Sequence, residues 1–453
     1  MVSVALDALA KETGGELVGD SVSLGRLVVD SREVGMGDLF AAINGAKVDG
    51  HSYAPNALRA GAAALLTERK LDGLMPQLVV EDVTAASGRF GYLKRKAFQG
   101  AIVAITGSAG KTTTKNLLSA ALAPAGAVHA TAGNQNNELG VPMTLAGLSS
   151  AHQYGVIEMG AGRPGDIAYL CELARPNVAV CLNASAAHLA NYDSVAAIAS
   201  TKGEIFEGLG VAELAVLNAD EAWLPQWQRQ ASNARQITFG LAESADYRAV
   251  NIERDGVQGT RFVMHGPMGQ LSVTLCLAGD QHINNALASL AVAIELGVDP
   301  AAAANAVAEV TPGAGRGLVS ARPQAGRVVD DSYNANPAAV RAAIDVLARE
   351  PGHRVLLLGS MLELGDTTAA LHHEIGTYAA ASGIDQLITV GIEATPAADA
   401  FGAAACSFPD QAAMQAAFPS MPADHVIWVK GSRAVGLEST VAWLLASEEV
   451  PAC

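Results

Sequence analysis

Short apolar runs separated by stretches of helical periodicity recur along the chain. The clearest run is Ala101 to Ile105, five small or β-branched apolar residues, a pattern that predicts a buried parallel strand. A glycine-bounded turn follows, and a helical pattern continues from Lys111 to about Ala123. Upstream, the pattern predicts strands at Leu27–Val29, Asp38–Ala42 and Ala63–Thr67, with helices at Val4–Lys11, Pro55–Ala60 and Ala85–Ala97. Downstream it predicts strands at Tyr154–Ile157, Val178–Leu182, Ala215–Glu221 and Ile237–Gly240, and a helix over Val195–Phe206. Residues 246–278 alternate polar and apolar, as in antiparallel strands, and a long helix of small residues then ends at Gly297. A last series predicts strands at Val328–Asp331, Arg354–Leu358, Gln386–Gly391 and His425–Val429, with a helix over Pro337–Arg349. Strands alternating with helices predict an α/β fold built on mostly parallel sheets.

Length divides this pattern. A chain of 453 residues suggests about three domains. The expected boundaries are a first unit at 1–82, a central parallel-sheet unit at 83–312 and a Rossmann-like unit at 313–453, preceded by a glycine-rich stretch, Thr311–Gly317, suited to a hinge. The last unit has no G-x-G-x-x-G after its first strand, so a dinucleotide site is not expected there. The net charge is −16 and no basic run occurs, which argues against nucleic acid as a partner. An acidic chain that binds an anionic nucleotide must use local backbone dipoles, a few basic residues and metal. Five scattered cysteines without C-x-x-C fit small buried hydrophobes in a reducing compartment. The N-terminus has no basic region before an apolar core, and no long uncharged apolar run occurs, so a cytoplasmic protein without a membrane span is expected.

Candidate chemistry concentrates in the turn after Ala101–Ile105, which reads Thr106-Gly107-Ser108-Ala109-Gly110-Lys111-Thr112-Thr113. A strand, a glycine turn and a helix N-terminus aim backbone N–H groups at phosphate oxygens. Gly107 and Gly110 let the backbone approach those oxygens, Lys111 is placed to reach the β- and γ-phosphates, and Thr112 to hold a magnesium ion. The general phosphate-loop pattern has one more glycine, where this chain has Ile105. The shorter string also occurs in plain strand-to-helix turns with a solvated lysine. Glu158 ends a predicted strand on the edge where open α/β sheets bind ligands, so it is a candidate to complete a magnesium site. Asn134 to Asn137 are consecutive amides, suited either to sugar and peptide contacts or to an ordinary turn. Ser31, Arg32 and His51 lie at strand ends and loops, where ligand contacts concentrate but solvated turn residues are commoner.

Together these motifs resemble the Mur ligase family, the ATP-dependent amide-forming enzymes of peptidoglycan precursor synthesis. TGSAGKTTTK is similar to the family's phosphate loop, which lacks the early glycine. DSREVGMGDLFAAINGAKVDGH resembles the N-terminal module that holds the uridine diphosphate end of the substrate. GNQNNELGVPMTL, EMGAGRPGDI, AHLANYDSVAAIASTKGEIF, DDSYNANP and GSMLELGD resemble the family type that adds D-alanyl-D-alanine to UDP-N-acetylmuramoyl-tripeptide. The resemblance implies that Gly107, Ser108, Ala109, Gly110, Lys111, Thr112 and Thr113 bind ATP, with Asn285, Arg316 and Asp331 contacting adenosine or its phosphates. It implies one magnesium ion at Thr112 and Glu158 and a second at His188. It also implies that Lys202 is carbamylated, a cation turned into a carboxylate-like metal support, and that Lys111, Lys202 and His188 are catalytic. Ser31, Arg32, Asp49, His51, Asn136 and Asn137 are implied substrate contacts. Asn334, Asn336, Lys430 and Ser432 are implied where the third unit meets nucleotide and acceptor.

Two stretches depart from the family pattern. G-x-H-N-x-x-N is here Gly279-Asp280-Gln281-His282-Ile283-Asn284-Asn285, with only the last Asn in place. G-D-M-x-E-L-G has Ser360 for its aspartate. The expected reaction activates the tripeptide carboxylate as an acyl phosphate, which the dipeptide amine then attacks. A monomer acting on these two small-molecule substrates is expected. The alternatives are another Mur-type ligase with a different acceptor amine, a folylpolyglutamate-type ligase, and a nucleotide-hydrolysing switch that needs no acceptor at all.

Overall fold

The apolar run at Ala101 becomes the strand Ala101–Thr106, inside a nine-stranded sheet. The computed structural model describes residues 2–45, 48–185, 192–322 and 326–446. Ile102 to Thr106 are all buried, as expected of a strand covered on both faces. It pairs in parallel with Tyr154–Glu158 on one side and Val178–Cys181 on the other. Outward beyond Val178–Cys181 lie Leu214–Asn218, Arg235–Gly240 and Tyr247–Arg254, all parallel, then Thr260–Gly266 and Gly269–Leu275, both antiparallel. Val128–Ala130 closes the other edge. Helices Lys111–Leu122 and Asp280–Glu295 cover one face, burying Leu117, Leu118, Ile283 and Leu287. Helices Asp166–Ala174 and Val195–Gly203 cover the other. Predicted ligand groups at the carboxyl ends of these strands therefore share one edge.

The first sheet runs Glu16–Val18, Gln77–Val79, Ala64–Thr67, Leu39–Ala41, Leu27–Val28, parallel except for its first pair. The helix Val83–Ala97 packs Val83, Ala86 and Phe90 into the core of this sheet while also lying on the helix Gly140–Ala146. Its Lys94, wholly buried, donates to the carbonyls of Val2 and Leu24. Burial pushes this ammonium down to about 8.

The third sheet orders Leu318–Ala321, Arg327–Asp331, Val426–Lys430, Arg354–Gly359, Gln386–Val390 and Ala405–Phe408, parallel after the first pair. It touches the central sheet at a second place besides the 311–317 linker. The turn Gly256–Gln258, between two strands of the central sheet, inserts Val257 among Ala335, Val340, Ile344 and Leu347 of the third sheet's core. The Val257 N–H donates to Glu350 Oε1 at 2.6 Å, and Glu350 Oε2 pairs with Arg327 at 2.8 Å. Gly256 has φ +52°, and a Cβ there would lie 1.9 Å from Glu350 Oε1. Only glycine makes that contact without a clash.

Some local expectations shift. The first helix is Leu6–Thr13 rather than Val4–Lys11, because Val4 and Ala5 pair with Leu24 and Ser23. The strand expected at Ala215–Glu221 ends at Asn218, whose side chain turns to the Leu182 carbonyl. The helix over Val195–Phe206 tightens into a 3-10 turn at Glu204–Phe206. Helices Pro300–Ala308 and Thr368–Ala381 were not expected, since alanine-rich faces give little polar contrast. No helix among the described residues is long and apolar enough to cross a membrane.

Candidate active site

The turn Gly107–Gly110 joins the buried strand to the helix Lys111–Leu122. Gly110 sits at φ +82°, and a Cβ there would lie 2.6 Å from Asn285 Oδ1. Both the left-handed backbone and the close approach demand glycine. Asn183, just past the neighbouring strand, braces the loop: its Oδ1 accepts from Ala109 N at 2.9 Å and its Nδ2 donates to Ala109 O at 3.1 Å. Ser108 Oγ donates to Ser185 O at 3.2 Å and accepts from Ser185 N at 3.0 Å. Lys111 Nζ donates to Gly107 O at 2.7 Å, folding back over the loop. Burial lowers its pKa; the Glu158 carboxylate opposes this and the Arg316 charge adds to it.

Thr112 Oγ1 donates to Glu158 Oε2 at 2.9 Å, and Asn136 Nδ2 donates to Glu158 Oε1 at 2.7 Å. Glu158 is 1% exposed, so this is a buried carboxylate facing the first turn of a phosphate-loop helix. Two hard oxygens side by side fit magnesium, which takes one or two protein oxygens and completes its shell with phosphates and water. Among the described residues no group of three His, Cys, Asp or Glu forms a ready-made metal cage. Lys115, buried one turn on, donates to the carbonyls of Thr131 and Gly133 and so fixes the start of the amide-rich loop. Asn137 Oδ1 accepts from Gly140 N at 3.0 Å, which leaves its Nδ2 for other contacts.

Lys202 lies at the end of the helix Val195–Gly203 and is 6% exposed. Burial, then the nearby Lys111 charge, pushes its ammonium down to about 7. Among the described residues no carboxylate charge acts on it. Lys111 and Lys202 face a cavity of about 390 Å³, whose walls include Ser108, Asn136, Asn137, Asp166 and Tyr169. His188 lies outside the described residues.

The third sheet brings its own set to this edge. Asp331 and Lys430 sit in register on adjacent strands and pair at 2.7 Å, and Trp428 Nε1 donates to Asp331 at 3.2 Å. Burial raises the Asp331 pKa, against the pull of Lys430. His282, from the central unit, is held neutral: burial and the Lys430 charge push it down to about 4. Its Nδ1 lies 3.3 Å from Asn285 Nδ2, so the departing histidine steers the matching Asn285. The guanidinium of Arg316 lies over the ring of Tyr333 at 3.9 Å.

The remaining expected residues have clear local partners. Asn334 Oδ1 accepts from Ala335 N, and Asn336 Oδ1 caps the helix Pro337–Leu347 through Ala339 N. Ser432 Oγ accepts from Leu362 N at 2.8 Å, tying down the loop that carries Ser360. Ser360 Oγ donates to Glu393 Oε2 at 2.9 Å, so a carboxylate stands beside the position where the family pattern has one. Ser31 and Arg32 follow Leu27–Val28, and Asp49 and His51 follow the neighbouring strand Leu39–Ala41, on one edge of the first sheet. Arg32 pairs with Asp30 at 2.5 Å, and Asp49 with Arg69 at 2.6 Å. His51 Nε2 accepts from Glu68 N at 3.0 Å, so its Nδ1–H donates to Asp49 at 2.7 Å and both ring nitrogens are engaged. Sequence reasoning did not single out Asn183, Lys115 or Tyr333. A polar residue directly after a buried strand was the available signal for Asn183.

Three family descriptions match the chain: Mur ligase family, catalytic domain over residues 26–90; Mur ligase middle domain over 105–293; and Mur ligase, glutamate ligase domain over 315–433. The UDP-N-acetylmuramoyl-tripeptide–D-alanyl-D-alanine ligase of Escherichia coli is 38% identical over 446 residues, covering 97% of this chain and 98% of its own. A crystal structure of MurF from Acinetobacter baumannii superposes with a TM-score of 0.90 at 31% identity, covering 98% of this chain and 99% of that one. The MurF ligase from Thermotoga maritima in complex with ADP gives 0.81 at 30% identity, covering 93% and 97%. A phosphate loop without the early glycine, a buried carboxylate on its threonine and end-to-end similarity to these relatives lead to one statement: the chain belongs to the Mur ligase family.

Proposed function

We infer that the chain is an ATP-dependent ligase that joins D-alanyl-D-alanine to UDP-N-acetylmuramoyl-tripeptide, the reaction for which its relatives are named. The observation that carries this is the Thr112–Glu158 pair beside the phosphate loop, opening on a cavity walled by Lys111 and Lys202. A carboxylate is a poor acyl donor because its leaving group would be oxide. The tripeptide carboxylate oxygen attacks the γ-phosphorus, the bond to the bridging oxygen breaks, and ADP leaves. The acceptor nitrogen then attacks the acyl carbon, the bond to phosphate breaks, and the nitrogen loses a proton. Lys111 and Arg316 spread the negative charge on the transferring group. Magnesium held by Thr112 and Glu158 would neutralise phosphate charge.

The finer assignments belong to the same reading. Residues 1–82 hold the UDP-sugar through Ser31, Arg32 and the Asp49–His51 loop, 83–312 bind ATP, and 313–453 close over it with the acceptor near Asn334, Asn336, Lys430 and Ser432. Asn136 and Asn137 contact the sugar-peptide, and Asn285 and Asp331 the nucleotide. A second magnesium would be held by His188 and a carbamate on Lys202. Support for the carbamate is chemical: a buried lysine near pKa 7, with no carboxylate charge acting on it among the described residues, has the neutral amine that carbon dioxide requires. The enzyme works as a cytoplasmic monomer, and its closed third unit keeps water from the acyl phosphate.

The test is phosphate release and product mass with each substrate withheld in turn. Release that depends on both dipeptide and UDP-tripeptide, with an amide product, is expected. Release without the dipeptide would support a hydrolytic switch, and turnover only with another amine would support a different acceptor.

A further inference from the structure

We propose that Tyr333 is a positioning residue for phosphoryl transfer, holding the Arg316 guanidinium in place with the face of its ring. The proposal rests on the reading that Arg316 serves the transferring phosphate.

Arg316 lies in the linker before the third sheet, where a long side chain on a glycine-rich segment has many conformations. The structure removes that freedom at two levels. The linker backbone is stapled to the end of the strand Arg327–Asp331: Tyr333 N donates to Gly315 O at 3.0 Å, Gly315 N to Asp330 Oδ2 at 2.9 Å, and Gly317 N to Asp330 O at 2.7 Å. Gly315 has φ +71°, and a Cβ there would lie 3.0 Å from Tyr333 Cβ. The guanidinium carbon of Arg316 then lies 3.9 Å from the Tyr333 ring centroid, well inside cation–π range. A second cation, Arg433, stands farther from the same ring at 5.4 Å and is drawn to Glu438 at 3.3 Å. Tyr333 therefore has Arg316 as its nearer cation.

The Arg316 charge reaches the loop. It contributes to lowering the pKa values of Lys111 and Lys115 on the loop helix, and it works against the burial that raises the Asp331 pKa. Asp331, a carboxylate on which the Arg316 charge acts, is itself paired with Lys430 at 2.7 Å. The aromatic face fixes the direction of the guanidinium without using up the donors that serve phosphate oxygens. A carboxylate in place of the ring would neutralise the charge the reaction needs. An aromatic ring orients the charge and leaves it intact.

The test is steady-state kinetics of the full chain with Tyr333→Leu, Tyr333→Phe, Arg316→Ala and the double variant Arg316→Ala/Tyr333→Leu. Losing a cation–π contact predicts that Tyr333→Leu lowers kcat about tenfold, with KM for ATP changed less than about twofold. Phenylalanine keeps the ring and should keep kcat within about twofold. The double variant should be no slower than Arg316→Ala alone, since the tyrosine acts through the arginine. Unchanged kcat in Tyr333→Leu, equal damage by phenylalanine and leucine, or multiplying losses in the double variant would each overturn the proposal. If Tyr333→Leu folds poorly by circular dichroism, the phenylalanine variant and single-turnover phosphate transfer by Tyr333→His decide instead: normal transfer by histidine, a poorer and differently shaped platform, would overturn it. Wild-type kcat in Arg316→Ala would refute the phosphate role of Arg316 and the proposal with it. A slow Arg316→Ala beside a normal Tyr333→Leu would refute the proposal alone.

Discussion

Lys202→Ala offers the sharpest test of the metal side of the site. An ordinary lysine, with a pKa of 10.5, is only about 0.3% neutral at pH 8. Lys202, pushed down to about 7 by burial and by Lys111, is about nine tenths neutral there. The neutral amine available to carbon dioxide is therefore roughly 300-fold more abundant. The sign is fixed by the direction of the shift: below about pH 7 the folded-state lysine takes up a proton and stops reacting, so carbamate occupancy and activity should fall together as pH drops through that value. Bicarbonate should partly offset the loss. Replacing Lys202 by alanine removes the support and enlarges the 390 Å³ cavity that it lines, leaving room for a small carboxylate. Removing one preorganised charged group from such a site predicts a fall in kcat of about a hundredfold or more, with partial recovery on adding acetate or formate. Enzyme prepared in ¹³C-bicarbonate should show a carbamate carbon resonance that is missing in the variant. Wild-type turnover by Lys202→Ala, or no such resonance in the wild type above pH 8, would refute the reasoning.

Glu158→Gln keeps the shape of the buried side chain but removes its charge, so kcat should drop about a hundredfold and the magnesium needed for half-maximal rate should rise; an unchanged magnesium titration would count against the metal role. Gly110→Ala must hold φ +82° and push Asn285 Oδ1 from 2.6 Å; strain of about 1 to 2 kcal/mol and weaker nucleotide binding are expected, read by calorimetric titration with ADP. Val257→Ala hollows the contact between the central turn and the third sheet, at a cost of about 2 kcal/mol, and should enlarge the nucleotide-free enzyme in small-angle scattering; an unchanged radius of gyration would contradict that contact's role.

Much of this was legible along the chain because local chemistry and global fold agree. Ala101–Ile105 reads as a doubly covered strand since every position from Ile102 on is apolar, and it is the seventh of nine strands, counting from Gly269–Leu275. Gly110 reads as a loop glycine because a helix follows at once, and the structure adds the nearness of Asn285. Glu158 was visible as a carboxylate at a strand tip, but its partners Thr112 and Asn136 come from two other segments. What could not be read depends on packing between distant segments. From its own residues Lys202 reads as a surface lysine and is marked only by the family resemblance, whereas the structure buries it near Lys111. His282 reads as a lost amide, whereas the structure holds it neutral between Lys430 and Asn285. Thr368–Ala381 gave no clear stripe, since its buried positions are His372, Ile375, Gly376 and Ala379, of which only one is large and apolar.

The turn at Val257 bears on how such a molecule can move. A body attached to another at one flexible point can reorient about three axes, and a glycine-rich linker alone would allow that. Among the described residues the third sheet is held at the linker 311–317 and again where Val257, with Ala278, meets its core and Glu350. While both hold, two points define a line, and a rigid body pinned on a line keeps a single rotational freedom. Tumbling becomes a swing, like a door on two hinges, and every reopening retraces the same arc. Asp331, Lys430 and Tyr333 then return to the phosphate loop along one path, which shortens the search for the aligned state between turnovers.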